Sequence, residues 1–278
     1  MTRLKNRNYN ITATQVLAAA FFLLVLMFAA VPELFTAYDP LENNLMERFQ
    51  GVSMKHLLGT DEYGRDILCR IIYGTRPSLL VGLGTALLSM VVGVPLGLIA
   101  GYCGGLVDAT IMRVMDAFQS FPSIILAILL MTVFDPSVES LIITISIESF
   151  PRFTRIVRGN VLSLKKAEYI ESARASGADP AYIMFVSILP NCMGAIIAQF
   201  SLLMSTAILV EAGLSFLGFG IQPPEPAWGS MLSYAKQYAN RSITYIMGPT
   251  MMIFLVVMSI NVLGDKLKDM FDPRKKRR

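Results

Sequence analysis

The sequence reads as an all-α, polytopic membrane protein with six transmembrane helices. That reading rests on composition, on the spacing of apolar runs and on where the basic residues fall. Hydrophobic residues make up 54% of the 278-residue chain and charged residues 16%, against ~25% charged in ordinary soluble domains. Six apolar runs recur along the chain, each near the ~20 residues that one bilayer crossing needs. The net charge of +4 follows the topology of those runs and does not point to nucleic acid.

Residues 1–10 hold Arg3, Lys5 and Arg7 and no acid. The first run, Ala13 to Val31, stops at Pro32-Glu33 with no small-x-small cleavage site behind it, so it is expected to be a retained span and not a signal peptide. Residues 33–76 are polar and acidic. Within them Gly59, Gly64 and three acids around Arg65 in Leu58-Gly-Thr-Asp-Glu-Tyr-Gly-Arg-Asp66 predict a tight, internally paired turn with a structural role. The second span is expected over Pro77–Tyr102. Its Ser89, Gly93, Gly97 and Gly101 recur every four residues and give one helix face on which a neighbour can approach closely, while Pro95 predicts a kink.

A short polar connection through Gly104, Gly105, Asp108, Arg113 and Asp116 leads to a third span, Ala117–Phe134, and after Asp135-Pro136 to a fourth, Ser140–Val157. Glu148 lies inside the fourth. An acid at membrane depth is a functional candidate, and Arg152 one turn on is its expected partner in a structural pair near the cytoplasmic end. The fifth span, Cys192–Ala212, carries Gln199, Ser201 and Ser205, polar positions that face either a pathway or a neighbouring helix. Glu211 follows at its end. Glycines and prolines between Gly213 and Gly229 forbid one continuous helix, so the chain is expected to dip at the outer face and return, with Trp228 as an interfacial anchor. The sixth span is Ile246–Leu263, and the chain closes on a basic run, Lys266 to Arg278.

Between the fourth and fifth spans lies a stretch that looks soluble. Lys165–Ser176 reads as a short helix with Glu171 and Arg174 spaced to pair. Gly177 supplies a left-handed stop, Asp179 a cap and Pro180 the first position of a second helix. Tyr182, Ile183, Val186 and Leu189 are expected on its apolar face, and Pro190 at its end. A compact helix–turn–helix in a membrane protein loop presents itself to a partner.

Other chemistry is sparse. Cys69, Cys103 and Cys192 are far apart and read as buried structural thiols. With His56 the only histidine, a His-based metal site or a Ser–His nucleophile is not expected, and no G-x-x-x-x-G-K-[ST] phosphate loop is present. The seventeen methionines are scattered and read as flexible packing. With six spans, seventeen basic residues fall on the side of the 158–190 loop and seven on the other, which places that loop and both termini in the cytoplasm.

Glu171-Ser172-Ala173, then Gly177, then Ile188-Leu189-Pro190 resembles the EAA loop of bacterial ABC importer permeases, with Ser172 and Ser187 departing from its pattern. Leu-Gly-Thr-Asp-x-x-Gly-Arg-Asp after the first span, and Ser215-Phe-Leu-Gly-x-Gly220 followed by Pro226-x-Trp-Gly229, resemble the C-type permease subunit of the dipeptide/oligopeptide/nickel importer family. The resemblance implies a type I importer core over residues 75–264, after an N-terminal part of residues 1–74 and before a basic tail of residues 265–278. It implies a heterodimer with a second, homologous permease, two cytoplasmic ABC ATPase subunits that hydrolyse ATP with magnesium, an extracytoplasmic solute-binding protein, and no cofactor held by this chain. It also implies that residues 158–190 couple to the ATPase through Glu171, Ser172, Ala173, Gly177, Leu189 and Pro190. As polar or acidic positions at membrane depth, Glu148, Gln199, Ser205 and Glu211 are candidates for the pathway or its gate. Peptide is the first expectation for the solute, and nickel or a metal chelate the alternative. An ion-coupled carrier would rely on Glu148 and Glu211 and leave the helix–turn–helix unexplained. A membrane enzyme finds no nucleophile–base or metal constellation.

Overall fold

The computed structural model describes residues 12–271, and these are helical throughout apart from loops and one isolated bridge. The basic residues of the two tails, Arg3 to Arg7 and Arg274 to Arg278, lie outside the described residues. The helices are α1 (Ala13–Ala30), α2 (Ile67–Cys103), α3 (Gly105–Gln119), α4 (Ser123–Met131), α5 (Val138–Leu164), α6 (Glu168–Ala175), α7 (Pro180–Tyr182), α8 (Leu189–Phe216), α9 (Trp228–Ala235) and α10 (Ile243–Phe271).

Four helical segments, α1, α2, Pro180–Phe216 and α10, are long and apolar enough to cross a membrane. The third expected span is a correction. Instead of one helix over 117–134, the chain bends by 80° between α3 and α4, a pair long and apolar enough together for either a broken span or a re-entrant loop. The break falls at Ser120-Phe121-Pro122, where the proline disfavours helical backbone in the residue before it. Helix α5 covers the fourth expected span. Its 27 residues extend about 40 Å, enough for a crossing, but Glu148, Arg152, Arg155 and Arg158 make its later half polar.

Helix α2 is the axis of the bundle. The stripe of small residues meets α5 as its spacing requires: a Cβ on Gly93 would come 2.6 Å from the Phe153 Cβ, one on Gly97 2.7 Å from the Thr154 carbonyl oxygen, and one on Gly101 2.7 Å from the Val161 Cβ. Only hydrogen at these positions allows the two backbones to lie so close. On another face Gly82 receives Ile208 of α8. Helix α10 packs on α8, where Ser205 donates to the Asn261 side-chain oxygen at 3.1 Å and Gly264 seats Ser201. Helix α1 lies at the edge, with only 6% of its span buried.

The two ends of α2 carry different structures. At its start, residues 33–66 fold into the expected paired turn. Arg65 donates through Nε to Asp61 at 2.7 Å, and Asp61 also accepts from the Tyr63 and Arg65 amides. Asp66 caps α2 through the Cys69 amide and holds His56 at 2.9 Å. Gly59 and Gly64 take the left-handed conformations, φ 80° and 77°, that this turn needs. The returning segment after α8 docks at the same end: Thr244 donates to the Leu58 carbonyl at 2.6 Å, and the Phe49 and Tyr238 rings lie 5.0 Å apart. At the other end of α2, Lys165 reaches the Tyr102 carbonyl ahead of α6.

Two sequence expectations change here. Trp228 is not an interfacial anchor but is fully buried, with its indole N–H donating to the Ile71 carbonyl at 3.0 Å. The returning segment folds inward over the start of α2 and takes the indole with it. Cys69 and Cys192 are buried as expected, whereas Cys103 is exposed because it ends α2 where the chain leaves the bundle.

Candidate functional site

The helix–turn–helix is present, with a different second half from the one its sequence suggests. Helix α6 runs from Glu168, and Gly177 follows it at φ 81°. The Ala178 amide bonds back to the Ala173 carbonyl and the Gly177 amide to that of Arg174, which closes the helix end. Asp179 caps the next turn by accepting from the Ala181 amide at 2.9 Å. Pro190, however, does not end the helix. Residues Ile183–Ile188 form a π turn between α7 and α8, and helical backbone continues from Pro180 to Phe216. A proline within a helix lacks one N–H and crowds the preceding turn, and the wider i→i+5 turn accommodates both.

The π turn also redistributes the apolar face. Ile183 and Ile188 are fully buried, while Tyr182, Phe185 and Val186 are more than half exposed. The expected face of Tyr182, Ile183, Val186 and Leu189 is therefore split: Ile183 holds the loop to the bundle and Tyr182 and Val186 project outward with Phe185. Glu171, Ser172 and Gly177 are exposed and Ala173 is half-buried. Arg174 does not pair with Glu171. Its guanidinium lies 5.9 Å from the Tyr102 ring centroid, which anchors α6 to the end of α2. The result is a capped turn with an outward aromatic and apolar surface and a carboxylate beside it.

The pathway candidates separate into two places. Glu148 and Gln199 line one cavity of about 540 Å³ between α5, α8 and the α3–α4 bend, together with Arg152, Arg155 and Phe118. There Arg152 donates to Glu148 at 2.7 Å and Ser149 to its other oxygen at 2.9 Å, the pairing expected from their spacing. Arg155 is tied to Asp116 of α3. Ser205 lies elsewhere, in the α8–α10 contact. Glu211 also lies away from this cavity, fully buried toward the start of α2, where Ser215 donates to it at 2.8 Å and Ser78 approaches at 3.5 Å. The same Ser78 oxygen lies 3.4 Å from the Trp228 amide, so Glu211 belongs to the lock on the returning segment. Sequence reasoning did not find Arg155 or the α3–α4 bend as parts of the cavity. The Phe121-Pro122 pair was the available signal for the bend.

Residues 93–277 match the protein family described as binding-protein-dependent transport system inner membrane component. The chain belongs to this family. Among its relatives are the dipeptide transport system permease protein DppC of Alkalihalophilus pseudofirmus, 43% identical over 92% of this chain and 83% of the relative, and the di/tripeptide transport system permease protein DppC of Pseudomonas aeruginosa, 39% identical over 94% and 88%. The glutathione transport system permease protein GsiD of Pectobacterium atrosepticum is 41% identical over 94% and 87%. Among solved structures, an inward-facing MetNI methionine ABC transporter chain aligns with TM-score 0.64 and 19% identity, over 74% of this chain and 97% of that one. That likeness confirms the type I importer permease fold. The family is one of membrane components of transporters, not of enzymes.

Proposed function

We propose that the chain is the permease subunit of an ATP-driven importer and forms the translocation pathway for small peptides with a second, homologous permease. The observation that carries the substrate class is that relatives similar over more than nine-tenths of this chain are named for dipeptides, di- and tripeptides and glutathione, all of which are short peptides. Residues 75–264 are the permease core, residues 1–74 and 265–278 are appended to it, and the 158–190 loop and both termini are cytoplasmic. Two ABC ATPase subunits hydrolyse ATP with magnesium on separate chains, and a solute-binding protein delivers the peptide from outside.

In this reading Tyr182, Phe185 and Val186 enter a groove of the ATPase, Glu171 and Ser172 make polar contacts at its rim, and Ala173 keeps the approach close. Gly177 sets the turn, and Leu189 and Pro190 join it to the pathway helix. Support comes from the grouped exposure of Tyr182, Phe185 and Val186, each more than half exposed, on this loop, the arrangement of a docking surface. ATP binding draws the two ATPases together and biases the bundle between two states through this contact.

Uptake of labelled dialanine, glutathione and nickel in a strain lacking the chain, with and without its return, tests the substrate class. Restored uptake of either peptide supports it. Restored nickel uptake alone overturns it in favour of a metal permease.

A further inference from the structure

The cavity between α5 and α8 contains a polar group that the fold leaves without a partner. Gln199 is only 7% exposed and lines the cavity, yet among the described residues its side-chain amide makes no hydrogen bond. Its neighbours behave otherwise. Ser201 and Ser205 of the same helix both return their hydroxyls to backbone carbonyls. Among the described residues, the sealed polar atoms without partners are on Glu62, Arg70, Thr85 and Ser89 and not on Gln199, so the Gln199 amide opens on the cavity with its hydrogen-bonding capacity free for a group that enters.

From this we infer that Gln199 is the permease's contact for the main-chain amide of a passing peptide, with the Glu148–Arg152 pair beside it meeting the solute's charged ends. The inference rests on the peptide reading above and adds a site within the pathway. A carboxamide offers both an acceptor oxygen and N–H donors, the complement of the N–H and C=O that every peptide bond presents whatever its side chains. Such a contact suits a permease that passes many sequences. The lining carries two guanidinium groups, Arg152 and Arg155, and one carboxylate, Glu148. That balance suits a zwitterion and opposes a bare divalent cation, for which a surplus of acid would be needed. Arg152 is half exposed and keeps N–H donors beyond the one on Glu148, so it can accept a carboxylate without breaking the pair.

The test is dialanine uptake by the complete transporter with Gln199→Leu. Maximal uptake should fall about tenfold, the factor that one lost hydrogen bond represents. Half-saturation should hold, because delivery by the binding protein sets it. ATP hydrolysis stimulated by the loaded binding protein should persist. Gln199→Met, closer in shape, should repeat the loss. Maximal uptake close to wild type in either variant, with the chain at normal levels in the membrane, overturns the inference while leaving the peptide reading intact. So does failure of both variants to reach the membrane, which would show that the side chain holds the fold together. A wild-type transporter that takes up neither dialanine nor glutathione overturns the peptide reading and this site with it.

Discussion

The indole nitrogen of Trp228 donates to the carbonyl oxygen of Ile71 at 3.0 Å, across 157 positions of sequence. The bond fixes the returning segment to the first turns of α2, with the ring fully buried. Trp228→Phe keeps most of the buried ring and loses the bond, and it should lower stability by about 1 kcal/mol. Trp228→Ala leaves a cavity and should cost about 3–5 kcal/mol. Thermal unfolding of the detergent-solubilised protein would rank the two, and equal losses would show that the hydrogen bond rather than the ring carries the contact.

The α2–α5 seam allows a paired comparison. A Cβ at Gly97 would meet the Thr154 carbonyl and the Val157 Cβ at 2.7 Å, whereas one at Gly159 of α5 meets nothing within 4 Å. Gly97→Leu should therefore destabilise by at least about 1–3 kcal/mol, the usual effect of overpacking. Gly159→Ala should be neutral or stabilise by up to about 1 kcal/mol through helix propensity. The yield of folded protein in size-exclusion chromatography distinguishes them.

These two cases also show how far the sequence is legible. The four-residue spacing of Ser89, Gly93, Gly97 and Gly101 encodes a helix face directly, because the period of the stripe is that of the helix. Trp228 looks interfacial by its chemistry, and its burial depends on a return of the chain that no local signal specifies. The pairing of Glu148 with Arg152 is local and readable. The meeting of Glu148 with Gln199 depends on how α5 and α8 cross. Pro190 was misleading for another reason: a proline ends an α-helix, but a π turn before it removes the conflict, and propensity rules do not contain that option.

Gly177 isolates backbone conformation from packing. It has φ 81° and nothing within 4 Å of an added Cβ. Gly177→Val should strain the turn by about 1–2 kcal/mol while leaving the bundle untouched. We expect normal membrane insertion with reduced peptide uptake and reduced ATPase stimulation. Uptake at the wild-type rate would count against docking by this loop.

Outside the membrane, Glu47 and Lys55 pair across the 33–66 segment, and Glu47 also approaches His56 at 3.3 Å. The hydrogen bond from Lys55 holds the Glu47 carboxyl below its usual range, and the same bond raises the Lys55 ammonium above its own. For Glu47 the contribution to stability is present above the ordinary glutamate pKa and is lost as pH falls through the lowered value. For Lys55 it is present below the ordinary lysine pKa and is lost as pH rises through the raised value. Protease nicking of residues 33–66 should accordingly be slowest at intermediate pH and faster at both extremes. Lys55→Met should flatten the profile at both limbs, and an unchanged profile in that variant would assign the pH response to other groups.

The unbroken helix from Pro180 to Phe216 places the outward Phe185 and the inward Gln199 on a single shaft, like two cranks. The π turn that carries Phe185 adds one residue, which advances everything beyond it by about 100° around the axis. The angle between the two cranks, and so the direction in which a push on one would turn the other, is set by that single extra residue. Deleting Ser187 from the π turn would keep both cranks whole and leave them out of phase.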